Sequence, residues 1–215
     1  MLKDLHTLTP YLDFIRTCNA DPDYRDPMLL TQQQLHRNLL DAPENPNTRV
    51  FGTFEGEAIT GVFALLVLED ERYLELLAGL SRSAAAYAEL LSHLKSAHPG
   101  YQADFVYNPR NRLLQEALAA LGAEFEPEQQ TLVLCRAVPY VPDARIVPYR
   151  PEYRAQYLAL HTVDRYWTGE KVLAAPEVFR VLLALEAGEA AGYIDLTHNS
   201  TENEPYDLFV REKSR

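Results

Sequence analysis

The residues able to do chemistry gather toward the C-terminal end of the chain. Asp207 lies inside an apolar run, Tyr206-Asp-Leu-Phe-Val210, and Glu204 stands just before it. Carboxylates so placed can take up a proton from a reacting group. Read plainly, Glu204 is a solvated loop acid and Asp207 a strand-face acid. Tyr193 and Asp195 alternate along an earlier run, the spacing of neighbours on one face of a strand; they can line a cleft or simply dress that face. His161 and Asp164 are three apart on a predicted helix and can pair, most simply at the surface. The six histidines include no couple spaced three or four apart, so no metal site is expected. Cys18 and Cys135 are too few and too scattered for a disulfide framework or a zinc site. Cys135, in an apolar run, reads as a small buried hydrophobe, and Trp167 beside Tyr166 as core or interface.

These residues sit in the second half of an internal repeat. RVFGTFEGEAITGVFALL, from Arg49, aligns without a gap on RVLLALEAGEAAGYIDLT, from Arg180, at an offset of 131 (186 − 55 for the glutamates, 192 − 61 for the glycines). Each segment holds an acidic, glycine-containing turn between apolar runs. A repeat of this length predicts two related domains in tandem rather than a small solenoid unit.

The elements that must position the site follow from periodicity. Thr9-Pro10 predicts an N-cap and first helical residue for YLDFIRTC, and a second helix starts near Thr31. Strands are predicted over 49–55 and 58–68, joined at Glu55-Gly56-Glu57, and over 73–80. Ala84, Tyr87, Leu91 and Leu94 mark a helix face. A strand over 102–107, a helix after Asn111 closed by Gly122 and a strand over 130–136 follow. Pro139, Pro142 and Pro148 make a stiff connection. Beyond it come a short strand within 144–147, a helix from Pro151, a short helix near 170–174, the repeated hairpin at 179–186 and 189–197, and a strand over 206–210. Hairpins early and a crossover helix late predict an α/β fold with a mixed sheet and helices on both faces. The expected domains are 1–137, a Pro-rich linker with the first strand at 138–148, and 149–215.

Composition narrows the classes. A net charge of −11 disfavours nucleic acid, which needs Lys/Arg patches; it is compatible with cationic or amine substrates near the surface, and read plainly it serves solubility. The longest apolar runs fall far short of a membrane span, and the start has no signal-peptide core. A cytoplasmic protein is expected.

Between Ala144 and Arg215, an opening strand, two helices, a hairpin and then EPYDLFVREKSR resemble the first half of a GNAT-type N-acetyltransferase. In that family an apolar triplet such as Leu208-Phe209-Val210 precedes a charged stretch and then a loop of the form Arg/Gln-x-x-Gly-x-Gly/Ala, whose backbone N–H groups and helix N-terminus hold the pyrophosphate of coenzyme A. The resemblance implies acetyl-CoA as co-substrate and a small-molecule or peptide amine as acceptor. It assigns Glu204 or Asp207 as base, Leu208, Phe209 and Val210 as the strand facing the thioester, and Arg215 as the first residue of the loop. The glycines are expected just past Arg215, so the second domain is expected to be incomplete and this chain to bind acetyl-CoA weakly or not at all and to transfer no acetyl group on its own. A non-catalytic binding or scaffold module is the alternative.

The first copy is expected to be complete but degenerate. Arg215 carried back by 131 falls on Ala84, in a glycine-free helix. In Asn111-Arg-Leu-Leu-Gln-Glu-Ala-Leu118-Ala-Ala-Leu-Gly122, Leu118 stands where the family commonly has an acidic tyrosine, and Ala123 replaces its aromatic. The strand over 206–210 would present an unpaired apolar edge, expected to be covered by the first domain or by a second copy in a homodimer.

Overall fold

The computed structural model describes residues 1–128, 139, 141–162, 166–198 and 205–214. The chain divides into two compact units, Met1–Thr131 and Leu132–Arg215. In the first, a five-stranded sheet runs β1 (Leu2–Asp4), β2 (Thr48–Glu55), β3 (Ala58–Leu68), β4 (Tyr73–Ser81), β5 (Gln102–Phe105) in spatial order. Neighbours are antiparallel except β4 and β5, which are parallel. A parallel pair needs a crossover, and helix α3 (Ala84–Ala97) supplies it.

Alternation along β3 separates two cores. Val62 and Ala64 share a face with Ala78 and Leu80 of β4, covered by Ile15 and Cys18 of α1 (Leu12–Ala20) and by Leu39 beyond α2 (Gln32–Leu35). Phe63 and Leu65 point the other way, onto Tyr87, Leu90 and Leu94 of α3 and Leu114 and Leu118 of α4 (Arg112–Ala120). Caps set the helix starts. Thr31 and Gln34 form a reciprocal capping box on α2, and Ser83 and Asn111 accept N–H groups of α3 and α4. Gly122, at φ +77, ends α4 as anticipated.

The second unit has an antiparallel sheet in the order β6 (Ile146–Pro148), β7 (Phe179–Glu186), β8 (Glu189–Thr197), β9 (Pro205–Val210). Helices α5 (Arg154–Leu160) and α6 (Gly169–Ala174) lie between β6 and β7 in the chain, and Tyr157, Leu160 and Val172 pack on Val181, Leu183 and Tyr193.

Several expectations need correction. Strand β1 was not foreseen: three residues with one apolar side chain carry no readable alternation, and only pairing with β2 defines it. Thr9 opens a 3-10 turn and caps nothing with its side chain. Ala84 is exposed, and Ala86 and Leu90 take its place in the core, because burial follows the sheet rather than the ideal helical stripe. The strand from Gln102 stops at Phe105, and the helix from Pro151 becomes a 3-10 turn plus a seven-residue α5. The strand over 130–136, with Cys135, lies outside the described residues.

The repeat holds at the level of single hydrogen-bonded pairs. All eight β2–β3 pairs recur in β7–β8 at an offset of 131, from Thr48↔Leu66 with Phe179↔Thr197 to Glu55↔Ala58 with Glu186↔Glu189. Even the register shift recurs, after Thr53 and after Ala184. The next ladder matches at an offset of 129: Gly61↔Ser81 corresponds to Gly192↔Val210, and both third strands carry one extra residue, Leu77 and Tyr206. Carrying 131 past the hairpin therefore misplaces the counterpart of β9 by two residues. The opening strands match at 144, since Leu2↔Thr53 answers Ile146↔Ala184.

Two outcomes follow. A Cβ added at Gly192 would lie 2.6 Å from the Phe209 carbonyl oxygen and 3.2 Å from Val210 Cα, both in the backbone of β9. At Gly61 the nearest atoms belong to the side chains of Phe63 and Thr53. Gly192→Ala is expected to destabilise the second unit by about 1–3 kcal/mol, and Gly61→Ala to cost the first unit less. Fluorescence of Trp167, the single tryptophan, during urea unfolding reads the former, and circular dichroism the latter.

The second outcome concerns Asp26, which is 4% exposed and accepts N–H groups from Gly79 (2.6 Å) and Met28 (2.7 Å). Burial pushes its carboxyl up to about 7, against the opposing pull of those two hydrogen bonds. Between the ordinary Asp value of about 4 and about 7, the folded protein holds a proton that the unfolded chain has lost. The contribution is thus full below pH ~4 and is lost as pH rises to about 7. The urea midpoint of the first unit should fall across that window, and Asp26→Asn should flatten the slope.

Candidate functional site

On β8, Tyr193 and Asp195 point to the face covered by α5, and on β9 their direct partners Phe209 and Asp207 point the same way. The register thus sets two carboxylates opposite each other across the ladder, a pairing that is unfavourable for like charges without compensation. Helix α5 supplies the compensating groups one turn apart, Tyr157 within the helix and His161 at its C-terminal cap.

Tyr157 Oη donates to Asp195, 2.9 Å from Oδ2 and 3.1 Å from Oδ1. His161 Nε2 lies 3.2 Å from Asp195 Oδ2 and 3.8 Å from Asp207 Oδ2. Tyr193 Oη donates to Asp207 Oδ2 at 2.6 Å, and Asp207 Oδ1 accepts the Leu208 N–H at 2.9 Å. The imidazole stacks on the Tyr193 ring (centroids 5.0 Å apart, planes 16° apart), and Tyr193 stacks on Phe209. Asp195 is fully buried and the His161 side chain 2% exposed; Asp207, with 16% of its side chain exposed, is the member of the group that opens to solvent.

Burial and then the Asp195 charge hold the Tyr157 phenol well above its ordinary value, so it remains a donor. For His161, burial works against the charged ring, but the hydrogen bond to Asp195 and the charges of Asp195 and Asp207 outweigh it and raise its proton affinity. Among the described residues, His161 Nδ1 is the one buried side-chain nitrogen or oxygen without a hydrogen-bond partner.

The first unit builds the same face without any of this. At the ladder positions of Tyr193, Asp195, Asp207 and Phe209 it has Val62, Ala64, Ala78 and Leu80, all fully buried. The fold therefore does not require a buried ionic cluster, and the second unit carries one.

The structure brings together Asp207, Asp195, Tyr193 and His161 from the sequence candidates. It overturns the surface pairing of His161: the ring is buried on Asp195, and Asp164 lies outside the described residues, as do Glu204 and Arg215. Tyr157 was not singled out as a site residue from the sequence, and the His161–Asp195–Asp207 group was missed because its members come from three elements; no spacing along the chain signals it. Leu208 is 64% exposed, while Phe209 and Val210 are half-buried. Trp167 packs edge-on against Phe179 in the core of the second unit.

With an opening strand, two helices, a hairpin and an apolar third strand in each unit, the expectation drawn from the resemblance is met. The fold is a tandem of GNAT-like units. No protein-family model matches the chain, and no curated protein matches it. Among solved structures it is similar to a tandem GNAT protein from the clavulanic acid biosynthesis pathway, described without AcCoA, at 14% identity and a TM-score of 0.45, over 100% of this chain and 80% of that one. It is also similar to TTHA1254 from Thermus thermophilus, wild type at 20% identity (TM-score 0.34) and a mutant at 21% (0.33), each over 45% of this chain and 76% of that one. Among the described residues, no helix is long and apolar enough to cross a membrane.

Removing the hydroxyl of Tyr157 takes a donor from a buried carboxylate, so Tyr157→Phe is expected to cost about 1.5–3 kcal/mol. Asp195→Ala leaves both Tyr157 and His161 without their acceptor and should cost about 3–5 kcal/mol. In the Asp195→Ala background the Tyr157→Phe penalty should largely vanish, a coupling that a double-mutant cycle on Trp167 fluorescence measures.

Proposed function

We propose that the protein works as a GNAT-type N-acetyltransferase, moving an acetyl group from acetyl-CoA to a small-molecule or peptide amine, with the second unit carrying the reaction. The observation behind this reading is the contrast between the units: one face, built twice in register, is apolar in the first unit and holds Tyr157, His161, Tyr193, Asp195 and Asp207 in the second. Buried charge is expensive to keep, and its presence where an apolar solution exists in the same chain supports a chemical role.

In the proposed reaction the amine nitrogen attacks the thioester carbonyl and its proton passes to the Asp207 carboxylate. The C–S bond breaks to release coenzyme A as the thiolate, which becomes the thiol by taking back the proton held on Asp207. Asp207 is suited to the role because it alone in the cluster reaches solvent, with the His161 ring 3.8 Å from its Oδ2. Asp195 and Tyr157 hold His161 in place. Phe209 and Val210 are assigned to the wall facing the thioester. Glu204 and Arg215 keep the roles given by the resemblance, alternative base and first residue of the coenzyme loop. The proposed compartment is the cytoplasm, where Cys18, buried and unpaired, stays a thiol.

The first unit is proposed as a non-catalytic partner. Its helix α3 starts without glycine, and the Ala86 N–H at its first turn is already taken by Ser83 Oγ at 3.3 Å, which leaves less of the helix start to receive a phosphate.

The test is thiol release from acetyl-CoA with a panel of amines, using this chain and a version extended past Arg215. Asp207→Asn should slow transfer by ~100-fold or more with little change in acetyl-CoA affinity. Transfer that survives the substitution would remove Asp207 from the role, and no acetyl-CoA binding by the extended version would favour a binding or scaffold module.

A further inference from the structure

The charge balance of the cluster is incomplete. Asp195 and Asp207 bring two negative charges to one small, largely buried volume, and among the described residues no lysine or arginine pairs with either. The tyrosines donate hydrogen bonds but no charge. One imidazole is left to serve both carboxylates, and its nearer contact is to Asp195.

We propose that His161, Asp195 and Asp207 form a binding site for one divalent first-row transition-metal ion. The ligand atoms, one ring nitrogen and two carboxylate oxygens, all lie within 4.8 Å of one another. The ring nitrogen is 3.2 Å and 3.8 Å from the two oxygens. An ion with bonds of about 2.0–2.2 Å places neighbouring donors roughly 3–4 Å apart, so the ring nitrogen already stands at coordinating separation from both oxygens. One imidazole with two carboxylates suits a first-row transition metal better than Ca²⁺ or Mg²⁺, which prefer oxygen alone.

The surroundings fit the same purpose. Tyr157 Oη and Tyr193 Oη each hold one carboxylate, which is how ligands are kept oriented around an ion. The exposed edge of Asp207 gives an ion its way in. The ladder positions matching Asp195 and Asp207 in the first unit hold alanines, so the two carboxylate ligands belong to the second unit alone.

This inference goes beyond acetyl transfer and is tested without acetyl-CoA or amine, so either reading can fail alone. The full chain is stripped with chelator and titrated with Co²⁺, followed by visible absorption, and with Mn²⁺, followed by loss of the free-ion electron spin resonance signal. One ion per chain is expected, bound well below about 1 mM. Asp207→Asn, which keeps the shape and an acceptor for Tyr193, should weaken binding tenfold or more with an unchanged circular dichroism spectrum; His161→Gln should do the same and remove the nitrogen signature from the Co²⁺ spectrum. Should His161→Gln not fold, the Asp207→Asn result decides. No stoichiometric binding up to about 1 mM, or binding unaffected by Asp207→Asn, overturns the proposal.

Discussion

The register between β8 and β9 is the constraint on which the candidate site depends. It sets Asp195 opposite Asp207 and Tyr193 opposite Phe209, so every distance in the cluster follows from where that ladder is pinned. The pin is Gly192, which lets the backbone of β9 approach more closely than any side chain would allow. A slip of one residue would send Asp207 to the opposite face and bring the exposed Leu208 inward. Once the register is fixed, α5 needs only to lay Tyr157 and His161 over the pair.

Duplication makes the energetics readable. Both units use the same hairpin register, the same shift after its sixth pair and one extra residue in the third strand. One fills the face with Val62, Ala64, Ala78 and Leu80, where burial alone stabilises. The other replaces them with two tyrosine-supported acids and an aromatic stack. The contrast separates what the fold needs from what a site needs. It also gives the first unit a structural character: its buried acid, Asp26, comes from the connection between α1 and α2, and its two oxygens are occupied by backbone N–H groups.

Hydrogen bonding within the second unit makes its acids interdependent. Asp195 has its acceptor sites filled by Tyr157 and His161, whereas Asp207 divides its oxygens between Tyr193 and the backbone of Leu208 and keeps an open edge. The difference in exposure between two facing carboxylates gives them different work, one supporting and one reacting or ligating.

The sequence by itself determined the elements and the duplication. Alternating and helical periods, the glycine-containing hairpin turns and the Gly122 stop are local signals, written within a few residues of where they act, and the hairpins appeared where those signals placed them. Asp207, Asp195, Tyr193 and His161 were visible as residues with chemistry, because their side-chain types stand out in apolar surroundings. Only the tertiary structure decided that they meet. His161 was read with a neighbour three residues away, whereas its partner is 34 residues distant. Strand β1 and the two-residue slip in the third ladder were equally hidden, since pairing partners define both. Proximity across a sheet depends on register and on the helix laid over it, and neither leaves a period in the chain.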